Sequence, residues 1–197
     1  MKRFFLYAVA ITALCSACET ENEVFATKTN NQTTTLNQAK STKANHYQIY
    51  QSILSGFEYN KSQTYEKNLL LFEQHVNQQI SDYIQQETYK YEKINPEQLL
   101  VLEQADANFV EQLAYTEETK QVIYAIVTNH FNRETMPFIT NEDERLLIET
   151  LFALHHNGND DDIWNDRRGI AFTYGAQYSF TQAVLYAGAI ELMSQKP

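Results

Sequence analysis

An apolar stripe at helical spacing runs from Tyr65 to Ile84, and no other pattern in the chain constrains the fold as strongly. Its members recur mostly at intervals of three or four residues, while Gln, Asn and Glu occupy the positions opposite. A period near 3.6 residues places such side chains on one face of an α-helix. The pattern therefore predicts a long amphipathic helix. The stripe consists of Tyr65, Leu69, Phe72, Val76, Ile80, Tyr83 and Ile84.

The composition favours further long helices over a many-stranded β fold. Among 197 residues there are only 5 Gly and 3 Pro, against 13 Tyr and 11 Phe, so chain breakers are few and large apolar side chains are many. The sequence therefore predicts an all-α protein, a bundle of about six helices. Helical patterns also cover residues 46–57, 96–113, 115–127, 139–152 and 180–193.

Several of these helices carry recognisable start signals. Asn95 has the side chain of a helix cap, and Pro96 occupies the first helical position. Gln98 is at the position that completes a capping box. An apolar stripe from residue 99 to residue 113 follows. Residues 115–127 and 139–152 each open with Thr or Asn and then acids, which suit the positive end of a helix dipole. His130 follows Ile126 at helical spacing, which predicts a histidine buried on the apolar face.

The stretch from Phe180 to Met193 is apolar on nearly every side. Ala183, Ala187, Gly188 and Ala189 lie within it, and small side chains let a neighbouring helix approach closely. With about 14 residues it is too short to cross a hydrocarbon core of ~30 Å. The pattern predicts a helix at the centre of the bundle.

The first 18 residues have the order of an export leader. Lys2 and Arg3 form a positive start, an apolar run covers residues 4–14, and small Ser16 and Ala17 precede Cys18. This order resembles the signal and lipobox of bacterial lipoproteins, although Cys15 stands where that family usually has Leu, Val or Ile. The resemblance implies cleavage before Cys18 and a diacylglycerol on its sulfur, which leaves the mature protein without free thiol or disulfide. The alternative is an ordinary secreted protein.

Residues 18–44 are predicted to be a flexible linker, because large apolar side chains are almost absent from them. Glu19, Glu21 and Glu23 resemble the acidic tag that sends lipoproteins of Bacteroidetes-type bacteria to the outer face of the outer membrane. The resemblance implies an envelope protein anchored in the outer membrane, with surface exposure favoured over a periplasm-facing position. The organisation expected is a signal peptide (1–17), a lipidated linker (18–44) and a helical domain (45–197).

The stretch from residue 155 to residue 169 concentrates polar chemistry. Imidazoles of His155 and His156 and carboxylates of Asp160 and Asp162 are groups that ligate divalent metals. The other interpretation is a solvated loop, because histidine suits a helix C-terminus and aspartate the next N-terminus. An EF-hand is excluded, because the sixth position from Asn157 is not Gly and the twelfth is not Glu.

An aromatic and basic group follows in the same region. Trp164 and Arg168 are four residues apart, so the guanidinium is expected to stack on the indole, while Arg167 is expected to pair with Asp160 or Asp166. Trp, Arg and Tyr are typical of interface hot spots. The candidate interface residues are Trp164, Arg167, Arg168, Tyr174 and Tyr178; the alternative is that Trp164 anchors the core.

The charge balance and the absence of known catalytic motifs exclude several classes of function. With 15 Lys and Arg against 25 Asp and Glu, the chain lacks the basic surface that nucleic acids require. No motif of a nucleotide-binding loop, a serine hydrolase or a zinc protease occurs. The preferred hypothesis is a lipid-anchored, non-catalytic helical module that binds a protein or peptide, with no cofactor. The alternatives are a metal-dependent enzyme or metal-binding protein using residues 155–162, and a carrier of small apolar ligands.

Overall fold

A computed structural model describes residues 45–84, 89–157 and 163–195; the predicted signal peptide, Cys18 and the linker lie outside these ranges. The regular structure in them is entirely helical, with seven α-helices, one 3₁₀ helix and no strand, which confirms the all-α prediction. The helices are α1 (His46–Ser55), α2 (Tyr65–Ile84), α3 (Pro96–Glu103), the 3₁₀ helix (Ala107–Gln112), α4 (Glu117–Val127), α5 (Glu142–His156), α6 (Ile163–Ala176) and α7 (Phe180–Met193).

Polar caps fix where most helices begin. The Asn45 side chain accepts from the Gln48 N–H at 2.9 Å, and Gln48 accepts from the Asn45 N–H at 3.2 Å, which makes a capping box at α1. Thr116, Asn141 and Ser179 cap α4, α5 and α7. The predicted starts of α4 and α5 are thus confirmed, because each cap satisfies a backbone N–H that the helix leaves unpaired.

Helix α7 lies at the centre of the bundle, as its sequence predicts. Residues 183–190 are buried without interruption, and α7 packs chiefly against α6 and α2. Close approach depends on two glycines: a Cβ at Gly188 would overlap the ring of Phe72, and one at Gly175 would overlap the backbone of Gln182. In the described ranges no helix, α7 included, has the length and apolarity needed to cross a membrane.

The stripe from residue 99 to residue 113 does not form one helix. Helix α3 ends at Glu103, and the 3₁₀ helix begins after Asp106, whose carboxylate accepts from the Asn108 N–H at 2.9 Å. An Asp that bonds the backbone two residues on favours a new start over helix continuation. At the start of α3 the Asn95 N–H donates to Tyr186 Oη at 3.2 Å instead of to Gln98.

His130 is exposed, so the prediction that it is buried was wrong. Helix α4 ends at Val127, and Asn129 takes a left-handed conformation with φ of 59°. The His130 N–H then donates to the Ala125 carbonyl at 2.8 Å and the Asn129 N–H to Ile126, the bond pattern of a Schellman motif. The motif ends the helix before His130, so the His130 side chain does not lie on the apolar face of α4.

Candidate functional site

The two histidines at the end of α5 point to different surroundings. His155 is buried, with its Nε2 3.1 Å from Asp166 Oδ1, whereas His156 is exposed and lies parallel to the Phe152 ring at 5.6 Å. The described residues contain no group of three His, Cys, Asp or Glu placed to hold a metal. Asp160 and Asp162 of the candidate metal set lie outside those residues. A metal that used His155 Nε2 would have to displace Asp166.

Arg168 is at the centre of a polar junction between α5, α6 and α7. Its Nη1 donates to Glu191 Oε2 at 2.7 Å, and its Nη2 donates to the Leu154 carbonyl at 3.2 Å and to Asn165 Oδ1. Asn165 Nδ2 in turn donates to the His155 carbonyl at 3.1 Å. Two carbonyls in the last turn of α5 therefore accept hydrogen bonds from side chains of α6.

Arg167, and not Arg168 as expected, is the guanidinium found over the indole of Trp164. The Arg167 Cζ lies 5.2 Å from the ring centroid, close enough for a cation–π interaction. Asp166, one of its two expected partners, is 3.1 Å from His155, and Asp160 is outside the described residues. Trp164 is half-buried and packs against the core.

Tyr174 and Tyr178 do come together. Their rings meet edge to face at 5.4 Å, their hydroxyls lie 3.3 Å apart, and Tyr178 is 67% exposed. The Tyr174 ring also packs against two other aromatic rings. The distance between ring centroids is 5.2 Å to Tyr186 and 6.2 Å to Phe109. Burial, followed by the neighbouring Tyr178 hydroxyl, raises the pKa of Tyr174, so the Tyr174 hydroxyl stays neutral at physiological pH.

The five candidate interface residues therefore form separate groups. Trp164 and Tyr174 lie ten residues apart along α6, a rise of about 15 Å. Arg168 faces α5 and α7, where its bonds are internal. Among the five residues, Tyr174 and Tyr178 form a tyrosine pair. In this pair the ring of Tyr178 is exposed and rests on the well-packed ring of Tyr174.

Two asparagines of α2 have a role that periodicity does not reveal. Asn77 Nδ2 donates to the Glu92 carbonyl at 2.9 Å, while Asn77 Oδ1 accepts from the Glu92 N–H at 2.7 Å. Asn68 pairs in the same way with the carbonyl and N–H of Asn60, at 3.0 and 2.8 Å. A side-chain amide has the donor and acceptor of a peptide group, so each asparagine holds a non-helical segment against α2.

Glu73 of α2 and Gln182 of α7 also form hydrogen bonds with residues 89–95. The Glu73 carboxylate accepts from the Ile94 N–H at 2.9 Å and from Tyr91 Oη at 3.1 Å. From α7, Gln182 Nε2 donates to the Lys93 carbonyl at 3.2 Å. Polar side chains of α2 outside the apolar stripe are thus buried. The reason is visible only in the structure, where residues 89–95 lie against them.

Glu144 is a further residue whose partner is distant in sequence. It lies in the first turn of α5, yet its Oε2 accepts from Thr116 Oγ1 at 2.6 Å and from Thr119 Oγ1. The carboxylate therefore supports the cap of α4 as well as the start of its own helix. The sequence indicated only the second role.

Comparisons of the chain with protein-family models, with curated proteins and with solved structures find no match.

Proposed function

We propose that this chain is a lipid-anchored protein of the bacterial cell envelope whose helical domain binds a protein or peptide partner. The observation that carries the binding function is the exposed ring of Tyr178, held on Tyr174 by an edge-to-face contact at 5.4 Å. A tyrosine with a fixed orientation contributes large contact area and a hydroxyl while losing little conformational entropy on binding.

Crosslinking in living cells tests this function. A photoreactive phenylalanine analogue at Tyr178 is expected to give a discrete crosslinked product with one partner. The same analogue at Phe138, another exposed aromatic, is the control and should not give that product. Equal products from both positions, or none from Tyr178, would argue against a binding surface there.

The proposed anchor rests on Cys18, which follows Ser16 and Ala17 after the apolar leader. Two or more acyl chains hold a protein stably at a membrane, because each buried CH₂ contributes roughly 0.8 kcal/mol. Replacing Cys18 by Ala should abolish labelling with a radioactive fatty acid and release the protein from membranes. Replacing Cys15 by Ala should leave both unchanged; the reverse result would refute the assignment.

The acids Glu19, Glu21 and Glu23 support a position on the outer face of the outer membrane. Protease added to intact cells should then degrade the protein, while a periplasmic marker stays whole. Replacing the three acids by Gln should make the protein resistant. Resistance of the unaltered protein would instead favour the periplasmic face.

A further inference from the structure

Helix α3 leaves two neighbouring large apolar side chains in solvent. Leu100 is 63% exposed and Val101 50%, whereas Leu99 and Leu102 on the opposite side are buried. Glu97, Leu100, Val101 and the C-cap residue Gln104 are exposed at the spacing i, i+3, i+4 and i+7, so they share one face. These four residues, Glu97, Leu100, Val101 and Gln104, form the α3 outer face.

This face differs from the other exposed apolar side chains in the described ranges. The others are spread singly along the chain, as is normal for a protein surface. Leu100 and Val101 are the pair adjacent on one helix, and polar Glu97 and Gln104 flank them on the same face. The face therefore has the geometry to receive an amphipathic partner helix.

The charge around the α3 outer face is one-sided. Glu103 is the last residue of α3, where the helix dipole is already negative, and no basic residue occupies the last turn. Asp106 follows three residues later, exposed to solvent. Both the dipole and these carboxylates would be stabilised by a cation from outside.

The described residues that follow Lys93 in sequence, through α3 and the 3₁₀ helix, supply no positive charge. No Lys, Arg or His occurs from Ile94 to Thr119. Lys93 directly precedes this stretch, before the N-terminus of α3. The next lysine after it, Lys120, has its Nζ 3.1 Å from Glu117 Oε1 and donates to the Glu111 carbonyl at 3.2 Å. Within this stretch no basic side chain of the protein offsets the negative end of α3, and a basic partner would complement it.

We propose that the α3 outer face docks a basic amphipathic helix of a partner protein, whose apolar side covers Leu100 and Val101 and whose Lys or Arg residues lie against Glu97, Glu103 and Asp106. This inference rests on the proposed binding function and adds the chemistry of the partner. Charge complementarity of this kind raises association rates and excludes wrong partners.

A peptide pair tests the proposal directly. The full chain is made by cell-free synthesis without membranes, so that it carries no lipid, and is titrated with a labelled 14-residue helical peptide of Lys and Leu. A peptide with Glu in place of Lys keeps the apolar side and reverses the charge. The Lys peptide should bind at least about tenfold more tightly, and added salt should weaken it.

Variants locate the bound peptide. Leu100→Ser with Val101→Ser should weaken binding about tenfold, as loss of central apolar anchors does. Leu70→Ser is the apolar control, because Leu70 is 47% exposed on α2. Glu97→Gln, Glu103→Gln and Asp106→Asn together should weaken binding and reduce its salt dependence, and the Asn retains the cap of the 3₁₀ helix. Glu58→Gln, Asp82→Asn and Glu134→Gln form the matched charge control.

Three outcomes would overturn the proposal: equal binding of both peptides, an equal effect of Leu70→Ser, or an equal effect of the control charge triple. If Leu100→Ser with Val101→Ser instead abolishes self-association of the chain in sedimentation, a second copy covers the face and the proposal is also wrong. Crosslinking from Tyr178 in cells is read separately, so failure of the α3 outer face is distinguishable from failure of the binding function.

Discussion

Arg168 of α6 lies 2.7 Å from Glu191 of α7, and the same guanidinium donates to the carbonyl of Leu154 in α5. One side chain therefore joins the three helices that follow one another at the end of the described chain. The Arg168 and Glu191 side chains are 14% and 33% exposed, so the pair is only partly hydrated. It binds helices of the same chain and is not available to a partner.

Replacing Glu191 by Gln should lower the free energy of unfolding by about 2 kcal/mol, because Arg168 is left without its countercharge; partial exposure reduces the effect below that of a fully buried pair. Urea unfolding followed by circular dichroism measures it. Glu149→Gln, at an exposed position of α5, is the control and should change stability by less than about 0.5 kcal/mol. Equal values for the two variants would contradict a structural role for the pair.

Replacing Gly188 by Ala should destabilise the fold by about 1–3 kcal/mol, because the added methyl overlaps the Phe72 ring and α7 must shift. Thermal unfolding measures the loss. Gly56→Ala is the control and should cost less, since its φ of −81° suits any residue and the nearest contact, the Ser52 carbonyl oxygen at 3.3 Å, is tight but without the overlap found at Gly188. Adding Phe72→Leu to Gly188→Ala should cost less than the sum of the single changes; strict additivity would show that the two residues do not meet.

Replacing Asn77 by Leu should release residues 89–95 from α2. The part-buried Glu92 N–H and carbonyl lose their partners, at a cost of up to about 1–3 kcal/mol for each group left unpaired. Hydrogen exchange of the Glu92 amide should become faster, by more than global destabilisation alone explains. Gln78→Leu, the exposed neighbour, should leave that amide protected. An unchanged exchange rate of the Glu92 amide in the Asn77 variant would show that Asn77 does not fix residues 89–95 against α2.

His46 should make stability depend on pH in the acid direction. Burial lowers its pKa in the folded state, where the ring is stacked on Phe180 at 4.3 Å, while an unfolded His titrates near 6.5. The unfolded chain therefore takes up the proton first, and stability is lost as pH falls from about 7 through 6.5 to the lower folded pKa. The His46→Phe variant keeps the stacking, so it should lose less stability than the wild type between pH 7.5 and 5.5. An equal loss would show that other groups carry the effect.

The helices were predictable because their signals are local. The apolar period of α2 and the caps Thr116 and Asn141 depend on residues within a few positions, and the structure agrees there. The break after Glu103 was missed because apolar spacing continues through it, while the Asp106 side chain favours a new start. At that point a single hydrogen bond outweighs periodicity.

The partners of polar side chains were not predictable in the same way. Arg167 and Arg168 differ by about 100° around α6, and which of them meets Trp164 depends on where Leu154 and Glu191 lie. Asn77 is one of several polar residues off the stripe of α2, and only the return of residues 89–95 gives it a partner. Such contacts join residues far apart in sequence, so no local pattern reports them.

The central position of α7 also determines when the protein can fold. Tyr65 Oη at the start of α2 donates to the Ala189 carbonyl, 124 positions away in sequence, and among the described helices α2 packs most extensively on α7. A chain emerging N-terminus first thus exposes the apolar stripe of α2 before the helix that covers it has been synthesised. Productive folding waits until α7 has emerged, and contacts of such long sequence separation slow the search. Late folding of this kind would suit the export that we propose, in which the chain crosses a membrane before it collapses.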